Sequence, residues 1–351
     1  MNKLTKVSLT ALCGSLATLT AANAGDLSAT GAAHMTWTSK SKSETGNPLG
    51  MKSNITFSGS GELDGGQAIS FNITHNDQDA YSSADMSLTT DSLGTFKLTQ
   101  GTGGAGIGGY DDKAPTAWEE AWDTGIGSGI DLAKGSGSST TLGYISPSVA
   151  GITLKVAYSP KNDGAQNNDK TGSGSTNPAL GSGMDVVLDI APDLGMVQPN
   201  LFAGYSVTEQ GANKKAAGTN GDADSDKEEA VVGLNLSVGP VKLGGQVTGE
   251  YLGKDQTASS VFGYKNIMWG VSFNVNDNLS VSYGEVESKK GLVSTSVNST
   301  VLMEMETFQI AYTMGGASIK IAETEITNAV YSTSSASADR DATTISLALA
   351  F

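Results

Sequence analysis

Two histidines, His34 and His75, and one cysteine, Cys13, are all that 351 residues offer for imidazole or thiolate chemistry. A hydrolytic triad needs a nucleophile, a base and an orienting acid within hydrogen-bond reach. His75-Asn76-Asp77 supplies neighbours in sequence only, so no catalytic residue is assigned and an enzyme is not expected. Gly101-Thr102-Gly103-Gly104-Ala105-Gly106 matches the dinucleotide pattern G-x-G-x-x-G after a strand-like segment. No apolar helix opens behind it, so a phosphate would find no helix N-terminus, and the glycines read instead as a place where the chain can bend inward. Asp222, Asp224 and Asp226 imitate the start of a calcium loop, but position 12 is Gly233 rather than a glutamate. No metal site and no cofactor are expected; divalent cations screening acidic loops are the modest reading.

What remains is one polar stretch, residues 101–137. It carries Asp111, Asp112, Glu119, Glu120, Asp123 and Asp131 against only Lys113 and Lys134. Trp118 and Trp122 lie amid these acids. Pro115 suits the first turn of a short helix and Gly125 the position just past its end, which would put the two tryptophans on one face. A loop of this length is usually functional or disordered, and a tryptophan pair that needs packing argues against disorder. The pair is either a stacking platform for a small solute or the means by which the loop packs against a wall.

The flanking chain must position that stretch. Residues 1–24 have Lys3 and Lys6, an apolar run from Val7 to Leu19, and Ala22-Asn23-Ala24 before Gly25, the pattern of a secretory signal peptide. Its removal leaves 19 basic against 36 acidic residues, a net charge of −17 and no cysteine. Nucleic acid is excluded as a partner and a disulfide framework is absent. No later run is long and apolar enough for a membrane-spanning helix.

From Leu27 onward, apolar and polar residues alternate with period two. Met35 and Trp37 alternate with His34, Thr36 and Thr38; Ile69, Phe71 and Ile73 with Ser70, Asn72 and Thr74; Ile345, Leu347, Leu349 and Phe351 close the chain. Sixteen such segments can be counted. Short connections at 64–66, 91–94, 147–150, 191–196, 239–240, 276–278 and 315–316 alternate with long polar ones near 39–51, 76–83, 101–137, 159–183, 208–227, 251–264, 286–305 and 324–341. Short turns on one side, long loops on the other and an even strand count describe an all-β transmembrane antiparallel barrel, closed so that no backbone group is left unpaired in lipid. Residues 25–351 form this single domain, with 101–137 folded into its lumen. Trp37, Tyr158, Tyr205, Tyr251 and Tyr283, at the long-loop ends of strands, fit an aromatic girdle in outer-membrane lipid. A soluble exported β protein, structural or adhesive, is the alternative, and its loops would not be segregated by length.

Parity turns Lys52, Lys97, Lys155, Lys242 and Lys320 inward, with Glu62 and Glu250. Lys52 and Lys97 flank the landing region of the long loop and are assigned as the basic side opposite its acids. In a pore about as wide as a Debye length such charges act on every passing ion.

Taken together, the mature chain resembles the general-diffusion porins, in particular those of alphaproteobacteria. The resemblance rests on Gly25-Asp26-Leu27 at the start, sixteen strands, Tyr110-Asp111-Asp112-Lys113 and Trp118-Glu119-Glu120-Ala121-Trp122 in the third long loop, and the terminal Phe351. It implies a homotrimer in the outer membrane of a Gram-negative bacterium, one pore per subunit narrowed by the third loop, and passive passage of small hydrophilic solutes and ions. It also implies that Phe351 is an assembly signal. The chain departs from the family in arginine: Arg340 is the only one, so an arginine ladder facing the loop is not present. From the charge balance mild cation preference is expected; the alternative is a solute-selective channel that binds its cargo at Trp118 and Trp122.

Overall fold

The computed structural model describes residues 27–351 except 43–45, 78–81, 101–103, 137–139, 161–179, 211–225, 254–260, 293–298 and 336. The leader at 1–24 and Gly25-Asp26 lie outside the described residues. Sixteen antiparallel strands close into one barrel. They are β1 (Leu27–Lys40), β2 (Leu49–Glu62), β3 (Ala68–Asn76), β4 (Ser83–Thr90), β5 (Gly94–Gln100), β6 (Thr141–Ile145), β7 (Ile152–Ser159) and β8 (Leu180–Ile190). The second half comprises β9 (Val197–Gln210), β10 (Lys227–Val238), β11 (Val241–Tyr251), β12 (Val261–Asn274), β13 (Leu279–Leu292), β14 (Ser299–Met314), β15 (Ala317–Thr327) and β16 (Arg340–Ala350). Each strand pairs with its sequence neighbours, and β1 pairs with β16 through registers such as Trp37↔Ile345 and Met35↔Leu347. The seam is finished by Phe351, whose N–H and C=O exchange hydrogen bonds of 3.0 and 2.8 Å with Gly31.

Alternation explains both faces. Along β8, Met184, Val186 and Leu188 point out and are 51, 38 and 40% exposed in the lipid-free barrel, while Asp185 and Val187 between them are fully buried. An exposed apolar band of this extent on a closed sheet is the surface that hydrocarbon covers.

Strand bounds differ from the sequence reading mainly on the long-loop side. β13 and β14 run to Leu292 and from Ser299, so much of the stretch 286–305, read as loop, is paired sheet. Those segments contain Glu285, Glu287, Glu304 and Glu306 on the outer face, which hid the period-two pattern from a count of apolar residues; backbone pairing carries on past the edge of the hydrophobic band.

The interior is not a plain water-filled tube. Inward-facing Met268, Val286, Met303, Met305 and Ile326 pack with Ala121 and Ile126 of the third long loop, and Val187, Phe202 and Val231 pack with Ile107, Tyr110 and Ala133 of the same loop. The apolar core of this protein therefore lies between the loop and the inner wall.

Candidate functional site: the lumenal loop

The loop between β5 and β6 is described from Gly104 to Ser136, and it is stitched to the wall along its length. The Ile107 N–H donates to Asp185 on β8 (3.0 Å), and the Tyr110 hydroxyl donates to Asp189 on the same strand (2.6 Å). Gln246 on β11 accepts from Lys113 N–H (2.6 Å) and donates to the carbonyls of Tyr110 and Asp111. The N–H of Ala117 donates to Ser282 on β13 (2.9 Å), and Gln309 on β14 accepts from Trp118 and Glu119 N–H (3.0 and 3.3 Å) while donating to the Glu119 carbonyl. Thr124 reaches Thr324 on β15 and Thr344 on β16, and Arg340 donates to the carbonyls of Ile126 and Gly127 at the tip. The chain then returns past Asn266 on β12 and Glu229 on β10 to end where it began, with Ser136 N–H on Asp185 (3.1 Å).

Asp185 thus clasps both stems of the loop with one carboxylate. A Cβ on Gly106 or on Gly135 would collide with that carboxylate, and Gly135 also needs its positive φ of 61°, so glycine is required where the stems cross. The strap covers the wall from β8 to β16, and the strands β2, β3 and β4 receive none of these bonds among the described residues. The open part of the lumen lies between the strap and that wall.

The tip has a second support. Residues 328–331 fold inward between β15 and β16, with Val330 N–H on the Ser128 carbonyl (2.7 Å) and the Tyr331 hydroxyl accepting from Asp131 N–H (3.2 Å). Asn328, Val330 and Tyr331 all have positive φ, a cost accepted because the turn packs against the strap.

The expected helix over 115–124 does not form; there is only a 3-10 turn at Ala121–Asp123. Its backbone donors are taken by Ser282 and Gln309, so an extended crossing satisfies them as well as a helix would. Trp118 and Trp122 consequently do not share a face. Trp122 packs into the apolar cluster of Ala121, Ile126 and Met303, whereas Trp118 lies beside the lumen with Lys320 Nζ 5.8 Å from its ring centre.

Charges sort by the same geometry. Lys113 is 3.1 Å from Asp112 and Lys134 is 3.5 Å from Asp131, both partly exposed pairs. Burial first, and then Asp112 beside it, pushes the Asp111 carboxyl up to about 6. Glu120 is pushed up to about 7, again by burial, with Asp112, Glu119 and Asp123 adding to it. Glu119 is raised by burial and by Asp123, against the opposing pull of Lys320 and Lys52. Asp111, Asp112, Glu119, Glu120 and Asp123 therefore form one coupled group, and Lys52 and Lys320 are the wall cations that act on it through Glu119. Lys97 stands 3.9 Å from Asp85 on the neighbouring strand, and Lys155 is occupied by Asp189 and Tyr110. Lys227 bridges Glu229 and Glu250 at 3.1 and 2.8 Å near the loop's return path.

Sequence reasoning missed Asp185, Gln246, Gln309 and the inward apolar residues, and it turned Lys320 inward without assigning it to the loop. A signal for the last was available: Val187, Phe202, Met268 and Met303 stand at lumenal parity, where an empty pore would have polar side chains. His34 is inward on β1, while His75 meets the outward Phe57 edge to face at 6.2 Å, so the two histidines do not meet. Of the three aspartates at 222–226 only Asp226 is described, and among the described residues no group of three His, Cys, Asp or Glu is placed to hold a metal.

Closed barrel, lumenal strap and outward apolar band agree with a sequence profile described as Gram-negative porin, which matches residues 8–351. The chain belongs to the Gram-negative porin family. Among solved structures, this porin is similar to Salmonella typhi OmpF in complex with daunomycin, at 15% identity over 93% of this chain and 98% of that one, with a TM-score of 0.67. It is also similar to the anion-selective porin from Comamonas acidovorans, at 13% identity, 93% and 100% coverage and a TM-score of 0.62. The trimer form of Vibrio cholerae OmpT follows at 10% identity, 94% and 100% coverage and a TM-score of 0.63. At such identities these likenesses speak for the shared fold. No curated protein matches the chain in sequence. As a member of this family the porin is an outer-membrane channel for passive diffusion.

Proposed function

We propose that this porin is a non-enzymatic, general-diffusion pore for small hydrophilic solutes and ions with a mild preference for cations. The observation that carries the reading is the imbalance at the strap. Asp111, Glu119, Glu120 and Asp123 have no ion pair among the described residues, and two wall lysines, Lys52 and Lys320, act on the group they form. Fixed charges lining a narrow aqueous passage are incompletely screened, so they enrich counter-ions within it. A homotrimer of the alphaproteobacterial type is part of the same proposal. In its favour is an apolar recess of about 640 Å³ on the outer wall, lined in part by Ile69, Phe71, Met86 and Leu88 on β3 and β4, which carry no strap bonds among the described residues.

The test is the zero-current potential of purified protein in a planar bilayer under a salt gradient. Cation preference at low salt is expected, and changing Asp111, Asp112, Glu119 and Glu120 together to their amides should move it toward anions. An unmoved potential would mean that these acids never meet the permeating ion. A solute-selective pore is the second reading; with Trp122 packed away, it would rest on Trp118 alone.

A further inference from the structure

The inner wall carries a second feature on the periplasmic side of the strap. In the register of the sheet, Ser282 and Gln309 form the row that holds the loop, and the next inward row toward the short turns is Ser280, Ala311 and Lys320 on β13, β14 and β15. Ala311 is small, so a polar recess of about 460 Å³ opens above it. Ala117 of the loop roofs the recess, and Asn274, Asn278 and Thr313 contribute to its rim, with Asp277 on the adjacent turn. Lys320 is its only cation, and among the described residues no carboxylate lies within ion-pair distance of it. The Lys320 ammonium also lies near the Trp118 ring, so one cation links the recess to an aromatic face.

We propose that this recess is a docking site for small anionic sugars, the carboxylate-bearing polyhydroxylated solutes. The inference rests on the channel reading above and adds a cargo class to it. Each part of such a solute meets its complement. The carboxylate pairs with Lys320, and the hydroxyls meet the amide and hydroxyl groups of Asn274, Asn278, Ser280 and Thr313. The three strands below the recess are continuously paired sheet, so the site is preformed. The volume exceeds that of one monosaccharide, and the recess is open to the pore; residence is therefore short, as conduction requires. An uncharged sugar would lose the Lys320 contact.

The experiment is single-channel recording of the intact porin in potassium chloride with D-galacturonate added to either side, and D-galactose as the uncharged control. Galacturonate should produce saturable current interruptions, with galactose at least tenfold weaker. Lys320→Gln should weaken the galacturonate effect at least tenfold. Ala311→Leu, which fills the recess and keeps the charge, should do the same. Equal block by galactose, or block that survives either substitution, overturns the assignment. Normal potassium chloride conductance without saturable block sinks the recess alone, whereas no conductance at all sinks the channel reading and the inference with it.

Discussion

Selectivity should depend on pH between 5 and 8, well above the range where ordinary carboxylates titrate. A carboxyl whose value is raised loses its charge as pH falls through the raised value. With Asp111 near 6 and Glu120 near 7, the pair carries roughly −0.1 charge at pH 5 and roughly −1.9 at pH 8. For an ion passing about 8 Å from them in water, each unit charge is worth about 0.5 kcal/mol. The added charge of about 1.8 then amounts to about 0.9 kcal/mol before screening. At 10 mM salt, with a Debye length of about 30 Å, most of this survives and cations are enriched about threefold more at pH 8 than at pH 5. At 1 M salt, with a Debye length of about 3 Å, almost nothing survives. The assay is the zero-current potential across a fixed gradient at low mean salt, stepped from pH 5 to pH 8. Cation preference should grow with pH, and Glu120→Gln should remove the upper half of the titration. A potential that stays flat over this interval and changes only near pH 4 would refute the argument, because it would show the acids to be solvated and independent.

Deleting residues 104–130 removes the strap but none of the strands, so the barrel should still fold and single-channel conductance should rise clearly; unchanged conductance would place the loop outside the ion path. Asp185→Ala leaves the N–H groups of Ile107 and Ser136 without their charged acceptor, at about 1.5–3 kcal/mol for each lost bond. Because Gln246, Gln309 and the threonines still hold the loop, the expected result is noisier open-channel current with little loss of barrel stability, and quiet wild-type-like current would argue against the clasp. Removing Phe351 deletes the hydrogen bonds to Gly31 and the last side chain of the outward row on β16; the amount of assembled barrel in outer membranes should fall while conductance per channel stays the same, and normal insertion would refute the role.

Much of this molecule is a local matter of parity, and parity is readable in a linear chain. Side chains of a strand point alternately to its two faces, so the run Met184-Asp185-Val186-Val187-Leu188 states which residues meet lipid and which do not. The strand count and the sorting of short and long connections follow from the same alternation, and the composition of residues 101–137 marked it as something other than a strand. Where alternation was masked by outward glutamates, as in β13 and β14, the strand ends were misread. Parity also says that Lys52, Lys97, Lys155 and Lys320 are inward without saying which of them meets the loop. That depends on the loop's path around the wall, set by contacts more than a hundred residues apart, such as Gln246 with Lys113 and Gln309 with Glu119. The same distant donors and acceptors made an extended crossing of residues 115–120 as well satisfied as the helix that Pro115 and Gly125 suggested. They also separated Trp118, which stays by the lumen, from Trp122, which became part of the core. The sequence determined the barrel and the presence of a charged insert, because both rest on neighbouring residues; the tertiary structure decided which acids couple, which lysine answers them and what holds the insert, because those contacts exist only once the barrel has closed.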